Sequence, residues 1–455
     1  MNSLQHISVT SVTSYIPDKK TKNFFFFSSS IENEKALQCL KPTPTKSHYV
    51  FSTCDVRRVI QGSMLIRCKE LPDGETTTTG KITRMWIHEV TRVFCDRVVD
   101  PNDSTLISNC IEKIVKKNYS ITMKDVIQKG IAEDEEKENE GKEIEEEENQ
   151  KDQKNQEGKK ATQETEFTDD PVQLMNMNVF STFRNSKARF YDEMPNVLKS
   201  TEAAESQLRD YNSVSETSMH LILFQFAINH LSRIVRILLI KGGHGLLVGM
   251  GGSGRQSLTK LASHIAGTSL IQFEISSGYG RVEWKEDLRN MLMKCGTSSD
   301  AEDGATTFLL TDTQIIDDLF IADVNSLLSS GEVPMLFSPA ERDMVGEKMR
   351  PIANQNNLEI VSTNDLFEYF IATVKERLHV ILCFSPVGEL LRRAIRKMPS
   401  VISCCSLNWF TAWPKEALTS VSMSMLAEVP FQDSIIVDEK TDTTIQTGQA
   451  EIRKR

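Results

Sequence analysis

Apolar residues recur along this chain with two different periods. Around Ile82–Val98, Met85, Ile87, Val90, Val93 and Phe94 fall at helical spacing, which predicts an amphipathic helix. A second helical pattern lies at Val56–Leu65, after Pro42 and Pro44 and before a Gly/Thr-rich loop at Pro72–Gly80. Ser218–Leu239 is apolar on nearly every side, which predicts a buried helix. Beyond it, the short apolar runs Gly245–Gly249, Leu270–Ile275, Thr307–Thr311, His379–Phe384 and Ile402–Leu407 alternate with helical stretches. Short apolar runs separated by helices predict an α/β fold with a parallel sheet. After Trp413 the pattern fades, and residues 430–455 are polar and end in Arg453-Lys454-Arg455.

Charge sharpens this division. Residues 133–160 hold thirteen Asp/Glu and six Lys, a net of −7, which leaves −3 of the total −10 for the rest of the chain. A stretch so poor in apolar side chains cannot bury enough surface to offset its ordering entropy, so 131–165 is expected to be a poorly ordered linker. The expected organisation is an unassigned segment at 1–35, a small helical unit at 36–130, an acidic linker at 131–170, a large α/β unit at 171–418 and a loose tail at 419–455. Phe24–Phe27 reads either as a docking segment or as an irregular terminus. Leu221–Ile240 contains Gln225, Asn229, His230, Ser232, Arg233 and Arg236, which argues against a membrane span. The acidic balance lacks the general basic footprint of a nucleic-acid binder. Nine cysteines without C-x-x-C pairing suggest neither a zinc site nor a disulfide framework, and no apolar secretory stretch occurs in Met1–Thr21. A reducing compartment is expected.

The chemistry concentrates in one turn. Gly249-Met250-Gly251-Gly252-Ser253-Gly254-Arg255-Gln256-Ser257 follows the first expected strand and opens a helix. Glycines let the backbone turn tightly around a phosphate, and a helix N-terminus adds unpaired N–H donors. Two phosphate motifs fit. Gly249-x-Gly251-x-x-Gly254 matches a dinucleotide fingerprint, with Glu274 twenty residues after Gly254 as the ribose-binding acid of an NAD-dependent oxidoreductase. The P-loop pattern fits with two departures: Arg255 stands where Lys is usual, and Gln256 where a Mg²⁺-binding Ser/Thr is usual. Arg255 keeps a positive charge in a planar fork, whereas Gln256 offers no hydroxyl to a metal ion. Asp312 ends the run Thr307–Thr311, where P-loop proteins place the carboxylate of the Mg²⁺ shell; as a plain strand-end residue it would cap the next helix. The residue after it, where a general base could polarise water, is Thr313.

These residues resemble the motor ring of a dynein heavy chain of the axonemal type. Gly249–Ala262 resembles the P-loop of the fourth AAA+ module; Glu274-Ile275-Ser276, Trp284–Leu288, Thr311–Ile315, Leu327–Pro334, His379–Pro386 and Asn408–Pro414 extend the likeness. Pro42–Phe51, Arg58–Gly62 and Trp86–Arg97 resemble the small subdomain of the third module. The resemblance implies a P-loop AAA+ sheet of strand order 5-1-4-3-2 preceded by a helical lid. It implies ATP or ADP bound by Gly249, Gly251, Gly252, Ser253, Gly254, Arg255, Gln256 and Ser257, with Asp312 at any Mg²⁺ and Ser385 as a catalytic or sensor residue. Arg392, Arg393 and Arg396 lie where such modules present arginine to a neighbour's nucleotide, or else form a solvated basic face. His88 and Arg92 are read as a polar helix face or as sensors. Implied partners are other ring modules and dynein subunits, in the cytoskeleton of a ciliary axoneme, with no nucleic acid and no membrane. Microtubule contact would run only through the stalk and tip, which have no counterpart here; nor do the first module, the linker arm, the third module's large subdomain and the fourth module's small one. A truncated or spliced product with little or no hydrolysis is expected, a competent ATPase fragment being the alternative.

Overall fold

The computed structural model describes residues 40–65, 79–119, 122–127, 172, 175, 180–182, 191–194, 197–215, 217–276, 278–298, 304–356, 362–413, 415–428, 435–437 and 444–446. The expectations for Phe24–Phe27 and for the acidic linker lie outside these residues. Among the described residues, no helix is long and apolar enough to cross a membrane.

The first unit is helical: α1 (Thr53–Ser63), α2 (Thr79–Val90) and α3 (Pro101–Tyr119). Its core is aromatic and aliphatic, with Tyr49, Phe51, Trp86, Phe94, Ile111 and Val115 all buried. The predicted helix over Ile82–Val98 proves to be two pieces. After Val90 the chain widens into one π-turn, Thr91–Cys95, with Asp96 N–H donating to Thr91 O at 3.1 Å. Arg92 lies in this turn and Asp96 just after it, where Asp96 pairs with Arg233 of the second unit.

The second unit holds α4 (Val197–Val214), α5 (Gln225–Leu239), β1 (His244–Val248), α6 (Arg255–Ala266), β2 (Ser269–Ile271), α7 (Arg281–Thr297), β3 (Thr306–Thr311), α8 (Asp318–Ser330), α9 (Pro339–Gln355), α10 (Thr363–Arg377), β4 (Leu378–Phe384), α11 (Glu389–Lys397), β5 (Cys405–Trp409) and α12 (Lys415–Glu428). All five strands pair in parallel in the order β2-β3-β4-β1-β5, the expected 5-1-4-3-2. Alternate strand residues feed opposite layers. Leu246, Val248, Phe308, Leu310, Leu382 and Phe384 join one apolar core, and Leu247, Leu309, Ile381 and Cys383 the other. Helices cover both faces, which is why the strands read as uninterrupted apolar runs.

Several boundaries differ from the sequence-based expectation. The run expected over Leu270–Ile275 is a strand only at Ser269–Ile271. Beyond Trp413, where the apolar pattern fades, the chain still forms α12 and an antiparallel pair, Ile435–Val437 with Thr444–Gln446. Two further differences have a local reason. The helix expected from Ser218 starts at Gln225. The preceding segment is held out of the helix by Asn212, whose Oδ1 accepts from Met219 N–H at 2.8 Å and whose Nδ2 donates to Met219 O at 3.0 Å. The fifth strand, expected over Ile402–Leu407, runs from Cys405 to Trp409. Val401 and Ile402 lie in a helical turn, Ser400–Ser403, and their apolar signal comes from core packing beside the sheet.

The helical unit packs on the β1–β5 side of the sheet through buried charge. Glu89 and Arg236 are 0% and 2% exposed, and Arg236 Nε donates to Glu89 Oε1 and Oε2 at 3.0 and 2.9 Å. Burial pulls the Arg236 pKa down, and the Glu89 carboxylate more than restores it, leaving it above the ordinary value. Tyr191 donates to Glu89 Oε1 at 3.2 Å and meets His88 Nε2 at 2.9 Å. Arg233 pairs with Asp96 at 3.2 Å, and Arg92 with Asp96 at 3.6 Å. The expected polar helix face, His88 on α2 and Arg92 in the π-turn, is therefore buried: these residues are 1% and 5% exposed. Gly62 is required here, since any Cβ would occupy the space of the Glu89 carboxylate.

One histidine is buried at this contact and another beside it in the second unit. His48 stacks on Trp409 with ring centroids 4.8 Å apart, and His230 stacks on Phe410 at 3.9 Å while its Nδ1 meets Asn408 Oδ1 at 2.8 Å. Burial pushes the His48 pKa down to about 4 and that of His230 well below its ordinary value. Both stay neutral in the fold, whereas the unfolded chain protonates them below about pH 6.5. Stability should therefore fall as pH drops from about 6.5 toward 4. The melting temperature should decline between pH 7 and pH 5, and the decline should be shallower in His48→Asn. A flat profile across that window would contradict the assignment.

Candidate nucleotide site

The site forms where the C-terminal ends of β1, β3 and β4 meet. β1 ends at Val248, and the chain turns through Gly249–Gly254 into α6. Gly252 and Gly254 take φ of +79° and +82°, a conformation that disfavours any side chain. A Cβ at Gly251 or Gly252 would meet nothing within 4 Å, so the outer wall of the turn is open. Gly254 caps α6 with no side-chain hydrogen bond. The first N–H groups of a helix have no intrahelical partner, and here no side chain takes their place. Ser253 Oγ is buried and without a hydrogen-bond partner. Open backbone donors at a helix N-terminus beside an unsatisfied hydroxyl fit a phosphate chain.

Gly249 has a different task. A Cβ there would come within 2.7 Å of Phe410 Cβ, and Phe410 N–H donates to Val248 O at 2.7 Å. Gly249 thus lets the end of β5 close over the start of the turn. Gly249→Ala should lower stability by about 1–3 kcal/mol, the usual cost of overpacking, and weaken any nucleotide bound nearby. Urea titration followed by fluorescence checks this; an unchanged midpoint would count against the close packing.

The charged residues are turned inward. Arg255 Nη1 donates to Phe384 O at 2.6 Å and Nη2 to Met250 O at 3.3 Å. Asp312 sits in a 3-10 turn at the end of β3, and its Oδ2 accepts from Ser385 N–H at 2.9 Å. Ser385 follows β4, and its Oγ accepts from Val387 N–H at 3.3 Å. Thr313 is exposed and shares a hydroxyl contact of 3.0 Å with Thr311. Gln314 Oε1 accepts from Thr311 N–H at 2.9 Å, and its Nε2 donates to Phe273 O at 2.5 Å, locking this turn against the edge of the sheet. Gln256 is exposed on the first turn of α6, and Ser257 is half-buried beside it. Among the described residues, no cluster of three His, Cys, Asp or Glu could hold a metal ion. The carboxylate at this corner that could join a Mg²⁺ shell is Asp312.

Gly249–Ser257, Asp312 and Ser385 share one corner of the sheet. Arg392, Arg393 and Arg396 stand apart on α11; Arg393 pairs with Asp318 at 3.4 Å, and Arg392 and Arg396 face solvent. Glu274 follows β2 at the sheet edge, with β3 and β4 between it and β1. A dinucleotide fingerprint needs its acid on the strand adjoining the glycine turn, so this strand order argues against the oxidoreductase alternative. Two contributors carried no motif signal: the Phe384 carbonyl, which is backbone, and Phe410, whose role emerges only through its distance to Gly249.

A five-stranded parallel sheet of this order, with a glycine turn from β1 into α6 and a carboxylate at the end of β3, defines a P-loop protein of the AAA+ class. Residues 219–453 match the family described as the P-loop containing dynein motor region D4, and residues 31–129 match the AAA+ lid domain. The chain belongs to the dynein heavy-chain family. It is 36% identical over 403 residues to human dynein axonemal heavy chain 6, covering 88% of this chain and 8% of that one. It is 35% identical over 401 residues to mouse dynein axonemal heavy chain 3, covering 88% of this chain and 9% of that one. It is 32% identical over 391 residues to mouse dynein axonemal heavy chain 1, covering 86% and 8%. The chain thus spans less than a tenth of the length of these relatives.

Proposed function

We propose that this chain serves as a nucleotide-holding module of an axonemal dynein heavy chain, binding adenine nucleotide weakly and hydrolysing it little or not at all. The observation that carries the reading is the pairing of an open glycine cradle with Thr313 in the position of the water-polarising acid. Backbone N–H groups of Gly251–Gly254 and the N-terminus of α6 would hold the phosphates, with Ser253 Oγ as a further donor. Asp312 would orient any Mg²⁺, whose role when bound is to neutralise phosphate charge. Thr313 carries no carboxylate to take a proton from water, and Gln256 offers no hydroxyl to the metal.

Such a module holds shape rather than doing work. Its nucleotide would brace the P-loop corner, and the buried contact through Glu89 and Arg236 would pass that bracing to the helical unit. Its partners would be neighbouring ring modules and other dynein subunits in the axoneme, and microtubules would be met only through other parts of a heavy chain. Arg392 and Arg396, exposed on α11, would be available to a neighbouring module's nucleotide. A competent ATPase is the alternative, and the residues at 256 and 313 argue against it.

The binding half of this reading is tested by titrating the chain with a fluorescent adenine nucleotide. Saturable binding, displaced by unlabelled nucleotide and lost in Gly252→Val, is the expected result. No displaceable binding at millimolar nucleotide would refute it.

A further inference from the structure

We infer that the site selects a nucleoside diphosphate over a triphosphate, because its two charged residues are tied to opposite ends of one peptide group. This selectivity rests on the proposed nucleotide binding. The Phe384 carbonyl accepts from Arg255 Nη1 at 2.6 Å and from Gly249 N–H at 3.1 Å. The N–H of the same peptide unit, on Ser385, donates to Asp312 Oδ2 at 2.9 Å. A guanidinium at the oxygen end and a carboxylate at the nitrogen end polarise this peptide in the same sense. Each of the two bonds is charge-assisted and reinforces the other.

The phosphates of a bound nucleotide make unequal demands on this arrangement. The first two need only backbone donors, which the open turn and the uncapped start of α6 present without moving Arg255 or Asp312. A third phosphate adds charge that calls for a cation. Arg255 can bring its guanidinium fully onto it only by weakening its bonds to the Phe384 and Met250 carbonyls, and Phe384 is 2% exposed, so its carbonyl would keep only the uncharged Gly249 N–H in a dry place. A metal ion can supply it only through Asp312, which already accepts from Ser385, and without help from residue 256. A charge-assisted bond lost at a buried group corresponds to a factor of about ten to a hundred in affinity. A lysine at 255 would behave differently: its ammonium is a compact point charge on a flexible stem, without the planar pair of nitrogens that Arg255 sets against the two carbonyls.

The test is competition against a fluorescent ADP analogue on the full chain, with ADP and ATP as competitors, each with Mg²⁺ and with chelator. ADP should compete at least about tenfold more tightly than ATP, with little effect of Mg²⁺. In Arg255→Lys the ADP-to-ATP ratio should narrow to about unity. ATP binding as tightly as ADP in the unmodified chain would overturn the inference while leaving the nucleotide-binding reading intact. A ratio unmoved by Arg255→Lys would overturn the peptide clamp as its cause. Failure of both nucleotides to compete would remove both readings together. Should Arg255→Lys fail to fold, the ratio in the unmodified chain still decides.

Discussion

Glu89→Ala should destabilise the protein by about 3–5 kcal/mol, the usual cost of leaving one partner of a buried ion pair behind. Arg236 would lose a carboxylate that engages it through Nε at 3.0 and 2.9 Å and also through Nη2, in a place where it is 2% exposed. Tyr191 would lose an acceptor at the same time. Chemical denaturation followed by tryptophan fluorescence reports the loss, since Trp86 is buried on α2 three residues from Glu89. The double variant Glu89→Met with Arg236→Met should recover most of the stability, because a well-packed apolar pair often matches a buried ionic one. A loss below about 1 kcal/mol in Glu89→Ala would show that the two units do not depend on this pair.

Hydrolysis should be slower than in a complete P-loop enzyme by a factor of about 10²–10⁴ for the missing general base alone. Thr313→Glu should therefore not restore fast turnover by itself. The new carboxylate would lack a firmly held metal, because Gln256 still supplies no hydroxyl and Asp312 still accepts from Ser385 N–H. Arg255 would also remain engaged by the Met250 and Phe384 carbonyls. Only the combination of Thr313→Glu, Gln256→Ser and Arg255→Lys addresses all three deficits. Rapid turnover in Thr313→Glu alone would show that the metal and cation sites are already competent.

The sheet was legible because its three central strands are buried along their whole length, leaving apolar runs such as Val380–Phe384. The glycine turn was legible because its backbone geometry restricts residue type: a φ of +79° or +82° favours Gly252 and Gly254. The contact between the two units was not. Glu89, Arg92 and Asp96 look like the solvated face of an amphipathic helix, and the facing Arg233 and Arg236 of the second unit make that face an interior. Likewise Arg255 reads as a phosphate ligand from its position alone. Its partners are carbonyls at Met250 and Phe384, and backbone acceptors leave no trace in side-chain pattern. The start of β5 is hidden in the sequence because Val401 and Ile402 carry the same apolar signal as a strand while packing as a helical turn.

Whether nucleotide is held without being consumed is measured most directly by a single-turnover ATPase assay on the purified full chain. Radiolabelled ATP at limiting concentration is followed in the unmodified chain and in Arg255→Ala and Asp312→Asn. The predicted result is adenine nucleotide bound by the unmodified chain, with phosphate release no faster than in either variant. Turnover that is robust in the unmodified chain and abolished in both variants would contradict the proposed role and make this corner of the sheet a working ATPase.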